Sequence, residues 1–310
     1  MSVLYVTSDA PGAGKTAVCV TLAAQLRRMG KRAAVFKPLL SAGASGPDPD
    51  AGAYDSLLGQ PTGDWPFPQL KSGITAKLEN DITGALENAA AGVDIVLAEA
   101  PAEVPGPVER RLVDLLGARV LAVVAYGPGL QASELTERLS AFGEALLGTL
   151  VNRYTRYRGG DVQSRLMPAM ASAGLNPLGA VPEDPLLLGI SVAELASRLG
   201  GTLAVGADKV DGLVAHVMVG GLGMDSGEGY FGLRDNKAVV VRGDRPDIHM
   251  AALLTPTSCL VLTGGVAPIE YVRYEAELER VPIMVVELDT LSTMDAVSAL
   301  GDGARFDHPA

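Results

Sequence analysis

Along this chain, short unbroken runs of apolar residues alternate with longer stretches in which apolar residues recur every three or four positions. The first run, Val3-Leu4-Tyr5-Val6-Thr7, lacks the polar alternation of a half-exposed strand and reads as a buried one. The next stretch, 16–29, puts Val18, Leu22, Leu26 and Met29 on one helical face and stops at Gly30, a residue suited to the turn past a helix end. The pattern then predicts a strand over 32–37, a short helix near 51–58 inside the Gly-, Pro- and Asp-rich segment 41–65, and a helix over 75–91. Strands over 94–98 (ending on Glu99), 120–125, 148–152 and 178–181 follow, with helices over 108–116, 132–147, 161–173 and 191–199. Strands and helices in turn, joined by short connections, predict an α/β fold with a doubly wound, mostly parallel sheet and right-handed crossovers.

A composition change at Gly200-Gly201 marks a boundary, dividing the chain into 1–200 and a smaller α/β domain over 201–310. That second domain is predicted to carry strands over 237–242, 259–263 and 283–287 and helices over 247–254, 268–280 and 290–300. The two halves share only this general style, with no internal repeat.

A length of 310 residues accommodates two such cores. Hydrophobic residues make up 48% and aromatics 5%, the balance of buried aliphatic strands covered by helices. Lys and Arg number 25 against 36 Asp and Glu, so the formal charge is 25 − 36 = −11. With no basic stripe to displace phosphate counterions, nucleic acid and anionic membrane surfaces are not expected as partners. Mean hydropathy is high at +0.24, yet runs such as 120–125 are strand-length, far short of the ~18 residues of a membrane span. The first residues lack a signal peptide's charged region and cleavage site, which predicts a cytoplasmic protein. Cys19 and Cys259 stand apart from each other and from His216, His249 and His308, so neither a disulfide nor a zinc site is expected.

The first strand feeds Ser8-Asp9-Ala10-Pro11-Gly12-Ala13-Gly14-Lys15-Thr16, and the helix follows at once. A strand, a small-residue loop closing on Gly-Lys-Thr and a helix make the setting of a phosphate-binding P-loop. The amides of Gly12, Ala13 and Gly14, with the first helical N–H groups through Ala17, aim at one spot where the helix dipole favours an anion. Lys15 is placed to reach β- and γ-phosphates and Thr16 to hold Mg²⁺, so ATP and Mg²⁺ are the expected cofactors. The motif's first glycine position holds Asp9 here, a departure. A glycine-rich turn with a solvated lysine is the rival reading, and the strand–loop–helix setting outweighs it.

Lys37 and Glu99 each follow or end a strand, at the carboxyl edge where open α/β sheets bind ligands. Lys37 can neutralise a substrate carboxylate or a transferring phosphate, with Ser41 adding a hydroxyl just beyond Pro38. Glu99 can bind Mg²⁺ directly or through water, and Asp50, ahead of Asp48, is a further acid for the metal. Asn152 ends its strand and can read an adenine edge or simply cap a turn. In the second domain, Arg242-Gly243-Asp244-Arg245-Pro246-Asp247 and Thr263-Gly264-Gly265 each lead from a strand toward a helix. There Asp247 reads as an N-cap and Arg245 as a local ion-pair partner. Arg245, Thr263, Gly264 and Gly265 together can cradle a small anion, and tight-turn glycines are an equally good reading.

With these residues set out, the first domain resembles dethiobiotin synthetase and its relatives, including the P-loop part of cobyrinic acid a,c-diamide synthase. The matching pieces are Gly14-Lys15-Thr16, Lys37-Pro38 with Ser41, Asp50-Ala51, Glu99 after an apolar strand, and Val151-Asn152. In that family the corresponding residues bind the phosphates, the substrate carboxylate or carbamate, Mg²⁺ and adenine. The second domain resembles the DRTGG domain through the Arg242 to Asp247 turn and Leu262-Thr263-Gly264-Gly265. The pairing is similar to the N-terminal region of the long phosphate acetyltransferases, without the acetyltransferase domain. It implies a homodimer with sites near the subunit interface.

Two departures shape the functional expectation. The family's glycine-rich, diamine-holding stretch is Ala100-Pro101-Ala102-Glu103-Val104 here, and its Thr-Asp-Thr segment is Asp9-Ala10-Pro11. The resemblance therefore implies an Mg²⁺-ATP-binding regulatory module of acetyl or acyl metabolism with weak ATPase activity, its second domain answering to a metabolite. The alternative is an ATP-dependent ligase that activates a small carboxylate, with Lys15, Lys37 and Glu99 as the catalytic residues.

Overall fold

The computed structural model describes residues 2–39, 50–59, 73–101, 104–127, 129–221 and 227–298. The chain divides into two compact units, one running to Glu183 and the other beginning at Asp184.

In the first unit, β1 (Ser2–Ser8), β2 (Ala33–Phe36), β3 (Ile95–Glu99), β4 (Arg119–Ala125), β5 (Leu146–Tyr154) and β6 (Pro177–Pro182) form one parallel sheet, in the order β2-β3-β1-β4-β5-β6. It carries helices α1 (Lys15–Arg28), α2 (Ala51–Leu58), α3 (Ala76–Ala90), α4 (Gly106–Leu116) and α5 (Ala132–Leu139). Alternate strand residues feed two separate cores, which is why the strands read as unbroken apolar runs. Tyr5, Val96, Ala98, Val120 and Val124 pack with Ile82 and Leu86 of α3 and Leu112 and Leu116 of α4. Val6, Leu97, Leu121 and Val123 pack instead with Val18, Cys19 and Ala23 of α1 and Tyr54 of α2. A fully buried side chain of this kind contributes roughly 1.5–3 kcal/mol.

Helix ends match their sequence signals. Gly30 takes φ 77 past α1, and the amides of Gly30 and Lys31 donate to the carbonyls of Arg27 and Leu26 at 2.9 and 3.0 Å. That is the paired closure of a glycine-terminated helix. Thr75 caps α3 by accepting from the Leu78 amide at 3.3 Å.

Two elements differ from the pattern-based expectation. The helix expected over 132–147 stops at Leu139 and continues as a 3₁₀ segment, Ser140–Ala145, broken at Gly143 (φ 49, ψ −129), after which β5 begins at Leu146. The helix expected over 161–173 is α6 (Gly159–Asp161), a π turn over Val162–Leu166 and α7 (Met167–Ser172). Pro168 has no N–H to offer the carbonyl four residues earlier, and the backbone widens ahead of it.

The second unit holds β7 (Ile190–Ser191), α8 (Val192–Leu199), β8 (Thr202–Val205), β9 (Leu213–Val214), β10 (His216–Gly220), α9 (Glu228–Phe231), β11 (Lys237–Arg242), α10 (Pro246–Leu253), β12 (Thr257–Thr263), α11 (Glu270–Leu278), β13 (Ile283–Val285) and α12 (Thr290–Ser298). Its main sheet has the order β10-β11-β12-β13-β8, parallel except for β8, and β7 pairs with β9 alone. Val239, Val241, Leu260 and Leu262 face Ile248 and Ala252 of α10 and Val272 and Ala276 of α11. Ala238, Val240, Val261 and Met284 face Val192, Leu195, Ala196 and Leu199 of α8.

The placement of α8 corrects the boundary read at Gly200. That helix closes the core of the second unit, and Gly200 (φ 61) is its left-handed C-terminal residue. The glycine pair is a helix stop, and the division falls at Glu183/Asp184 instead. Strands β8, β9 and β10 and helix α9 carried too few periodic residues to be read from the pattern. No helix among the described residues is long and apolar enough to cross a membrane.

Candidate functional site

Register brings the candidate residues together. Val6 of β1 pairs with Glu99 of β3, and Ser8 pairs with Val123 of β4, so β1, β3 and β4 end side by side where the loop 9–14 turns into α1. Gly12 and Gly14 adopt φ 68 and φ 94, conformations that L side chains rarely take. At Gly14 there is a second requirement: a Cβ there would lie 2.5 Å from Asn152 Nδ2.

The loop is pinned through its carbonyls. Asn152 Nδ2 donates to Ala13 O at 2.8 Å, Arg153 Nη1 to Gly12 O at 2.6 Å, and Arg138 Nη1 to Asp9 O at 2.9 Å. Asp9, the departure from the glycine pattern, has a structural use: its carboxylate accepts the Ala125 amide at 3.0 Å, tying the loop to the end of β4. Ser8 Oγ donates to Ala10 O at 2.8 Å and accepts from Lys15 Nζ at 2.9 Å. Thr16 and Ala17 lie in the first turn of α1, where amides have no partner within the helix.

Beneath the loop lies a buried charged cluster. Lys15 and Lys37 are buried, and Glu99 is 2% exposed. Thr16 Oγ1 donates to Glu99 Oε1 at 2.8 Å, while Glu99 Oε2 has no hydrogen-bond partner among the described residues. Lys37 Nζ is ion-paired to Asp50 and stands 4.0 Å from Glu99 Oε2. Burial pushes the Glu99 carboxyl up to about 7 despite the neighbouring Lys37 charge, and burial lowers Lys15 despite Glu99.

Thr16, Glu99 and Asp50 offer only oxygen ligands, and Glu99 Oε2 is a buried oxygen with no hydrogen-bond donor among the described residues, which fits a hard cation such as Mg²⁺. No group of three His, Cys, Asp or Glu able to hold a metal occurs among the described residues. Mg²⁺ in phosphate sites is held by one or two carboxylates plus the ligand's own oxygens, so the smaller donor set suffices. Ser41 and Asp48 lie outside the described residues.

Sequence reading missed Glu109, in the first turn of α4, whose carboxylate accepts from Thr7 Oγ1. Burial raises its pKa, with the Thr7 bond and the Lys15 charge opposing. It also missed Arg138 and Arg153, which carry no motif. Asn152 was found, but its amide nitrogen is already engaged by the loop.

In the second unit, the two singled-out turns do share one sheet edge, since Arg242 pairs with Thr263. Their donors, however, are used within the unit. Gly264 and Gly265 amides donate to Leu288 O and Val286 O, both at 2.9 Å, and Thr263 Oγ1 lies 2.9 Å from Thr290 Oγ1. Arg245 grips Asp247 through Nε–Oδ1 at 2.9 Å and Nη2–Oδ2 at 2.7 Å, the local ion pair expected. The N-cap of α10 is Arg245, with Pro246 in the first turn, so Asp247 sits inside the helix and not at its cap. A Cβ on Gly265 would meet Glu287 Oε2 at 2.6 Å, so that glycine serves close packing.

Comparison with known proteins gives matches of different reach. The DRTGG domain model matches residues 194–300. ATP-dependent dethiobiotin synthetase BioD of Rhodococcus jostii (strain RHA1) is 32% identical over 200 residues, covering 59% of this chain and 87% of that protein. Among solved structures, the MinD cell division protein of Aquifex aeolicus is 17% identical with a TM-score of 0.41, over 60% of this chain and 84% of its own. The CBS and DRTGG domains of the regulatory region of Clostridium perfringens pyrophosphatase, complexed with diadenosine tetraphosphate, match 40% of this chain and 53% of theirs, at 16% identity and a TM-score of 0.33.

Proposed function

For a chain that belongs to the dethiobiotin synthetase family, we propose the role of a cytoplasmic, homodimeric regulatory module that binds Mg²⁺-ATP in its first unit and hydrolyses it slowly. The observation that carries this reading is the buried Lys15–Thr16–Lys37–Glu99 cluster directly beneath a glycine-bearing loop and a helix N-terminus. Thr16, Glu99 and Asp50 would hold Mg²⁺, which when bound neutralises charge on the β- and γ-phosphates. Lys15, which donates to Ser8 Oγ, is the group that reaches those phosphates, and an anion bound there would oppose the burial that lowers its proton affinity. Loop amides and the α1 terminus orient the triphosphate, so positioning and fixed charge supply most of the catalysis.

Two features favour regulation over synthesis. The segment 100–104 lacks the glycines with which the family holds its diamine, and the chain carries a DRTGG domain beside the nucleotide unit. In this reading the second unit reports a metabolite or nucleotide level. A second reading, an ATP-dependent ligase acting on a small carboxylate, is favoured by Lys37. Its buried ammonium already binds a carboxylate, that of Asp50, and a substrate carboxylate fits the same partner.

Calorimetric titration tests the premise. ATP with Mg²⁺ binds in the micromolar range, about −8 kcal/mol, and Lys15→Ala weakens it at least roughly tenfold. Unchanged affinity in that variant refutes the assignment of Lys15. Repeating the titration with acetyl phosphate, AMP or NADH present separates the readings, because a regulatory ligand must shift ATP affinity and be shifted by ATP equally. Turnover on a carboxylate, with no metabolite moving ATP affinity, establishes the ligase instead.

A further inference from the structure

We propose that Arg153 is a positioning residue of the P-loop, holding the Gly12 carbonyl outward from a strained backbone so that the loop's amides face a bound phosphate. The inference rests on the nucleotide reading above and adds a residue that no motif marks.

The backbone at Arg153 is unusual. Its φ of 59 is left-handed, and among the described residues only Asn176, Asn236 and Arg280 share that sign without being glycine. Asparagine tolerates this region; arginine has no such aptitude, and the conformation costs it about 1–2 kcal/mol. The strain coincides with an irregularity in the sheet, because the β5–β6 register shifts between Val151 and Tyr154.

That irregularity has a geometric consequence. Successive side chains of a regular strand point to opposite faces. Here the neighbours Asn152 and Arg153 reach consecutive carbonyls of the same loop, Ala13 O at 2.8 Å and Gly12 O at 2.6 Å. A bulge with one left-handed residue lets both point the same way. Because a trans peptide directs its C=O and N–H oppositely, fixing the Gly12 and Ala13 carbonyls on the outer side turns the Ala13 and Gly14 amides inward. Arg138 treats the Asp9 carbonyl alike, at 2.9 Å. Arg153 also brings positive charge to the loop in a chain of net charge −11, with exposed Arg156 and Arg158 close behind it in sequence.

The test uses the full chain, with ATP and Mg²⁺ titrated calorimetrically and thermal unfolding followed in parallel. Arg153→Gly removes the strain together with the guanidinium, so a merely structural residue and a positioning residue give different results. Arg153→Gly is expected to unfold within about 3 °C of wild type. Its ATP dissociation constant is expected to rise roughly tenfold or more, the size of one charge-assisted hydrogen bond. Arg153→Lys, which restores a cationic donor, returns affinity to within about threefold of wild type. Wild-type ATP affinity in Arg153→Gly overturns the proposal, as does an Arg153→Lys protein as weak as Arg153→Gly. If Arg153→Gly does not fold, Arg153→Asn, which tolerates the left-handed region and lacks the cation, is judged by the same criteria. A wild-type chain that fails to bind ATP overturns the nucleotide reading itself, which the variants alone cannot do.

Discussion

Replacing Gly14 with alanine strikes the loop at the point where two demands coincide. The backbone there sits at φ 94, and the new methyl would stand 2.5 Å from Asn152 Nδ2. Left-handed geometry costs an alanine about 1–2 kcal/mol. To escape the methyl, the Asn152 amide must leave Ala13 O, forfeiting a bond of 2.8 Å worth about 0.5–1.5 kcal/mol. The sum is about 1.5–3.5 kcal/mol, or a fall in melting temperature of about 5–10 °C for a unit of this size. Gly12→Ala is the control, since at φ 68 its methyl meets no heavy atom of the described residues within 4 Å and the strain is what remains. The decisive assay is a double-mutant cycle with Asn152→Ala, read by urea unfolding. With the amide gone, Gly14→Ala should cost only its strain, giving a coupling of about 0.5–1.5 kcal/mol with Asn152→Ala, while Gly12→Ala and Asn152→Ala should simply add. Additivity in both cycles would refute the contact between Asn152 and the loop on which the reasoning rests.

Glu99→Gln keeps the shape of a buried side chain while removing its charge, and is expected to abolish Mg²⁺-dependent ATP hydrolysis with ATP binding held within a few-fold. Unaltered hydrolysis would reduce Glu99 to a strand-end residue. Acid should weaken the second unit through His249, whose Nε2 lies 2.9 Å from Arg242 O and whose buried Nδ1 has no hydrogen-bond partner among the described residues. Burial lowers its pKa, opposed by the Arg242 carbonyl, Asp247 and Asp244, with Arg245 adding a small depression. The neutral ring is therefore favoured in the folded state. Its stability is complete above the unfolded value of about 6.5 and is lost as pH falls from there toward the folded value, by at most about 1.4 kcal/mol per pH unit. Urea midpoints at pH 7.5 and 5.5 should differ more for wild type than for His249→Gln, and an equal difference would rule the histidine out.

Much of the first unit was legible because its signals are local. A glycine-rich loop announces itself between a strand and a helix, and Lys37, Glu99 and Asn152 each lie at the end of an apolar run. What remained hidden depends on residues far apart in the chain: Arg153 meets Gly12 across 141 positions, Arg138 meets Asp9 across 129, and Glu109 meets Thr7 across 102. No periodicity encodes such pairings. In the second unit the sheet edge shared by both turns was legible, whereas the use of their amides was not, because the acceptors lie on Val286 and Leu288 beyond a further strand. The short strands β8, β9 and β10 escaped for a different reason, since two to five residues give no period to measure.

Helix α8 bears on how such a chain is cut and joined. A recombination seam at Gly200, where the composition shifts, would leave Val192, Leu195 and Leu199 on the wrong fragment, with their apolar face turned to water. The downstream fragment would in turn lose the cover over Val240 and Val261. At roughly 1.5–3 kcal/mol for each buried aliphatic side chain, three such losses approach the whole net stability of a small domain. A fragment starting at Asp184 keeps its lid, so a seam placed there leaves α8 with the strands that it covers.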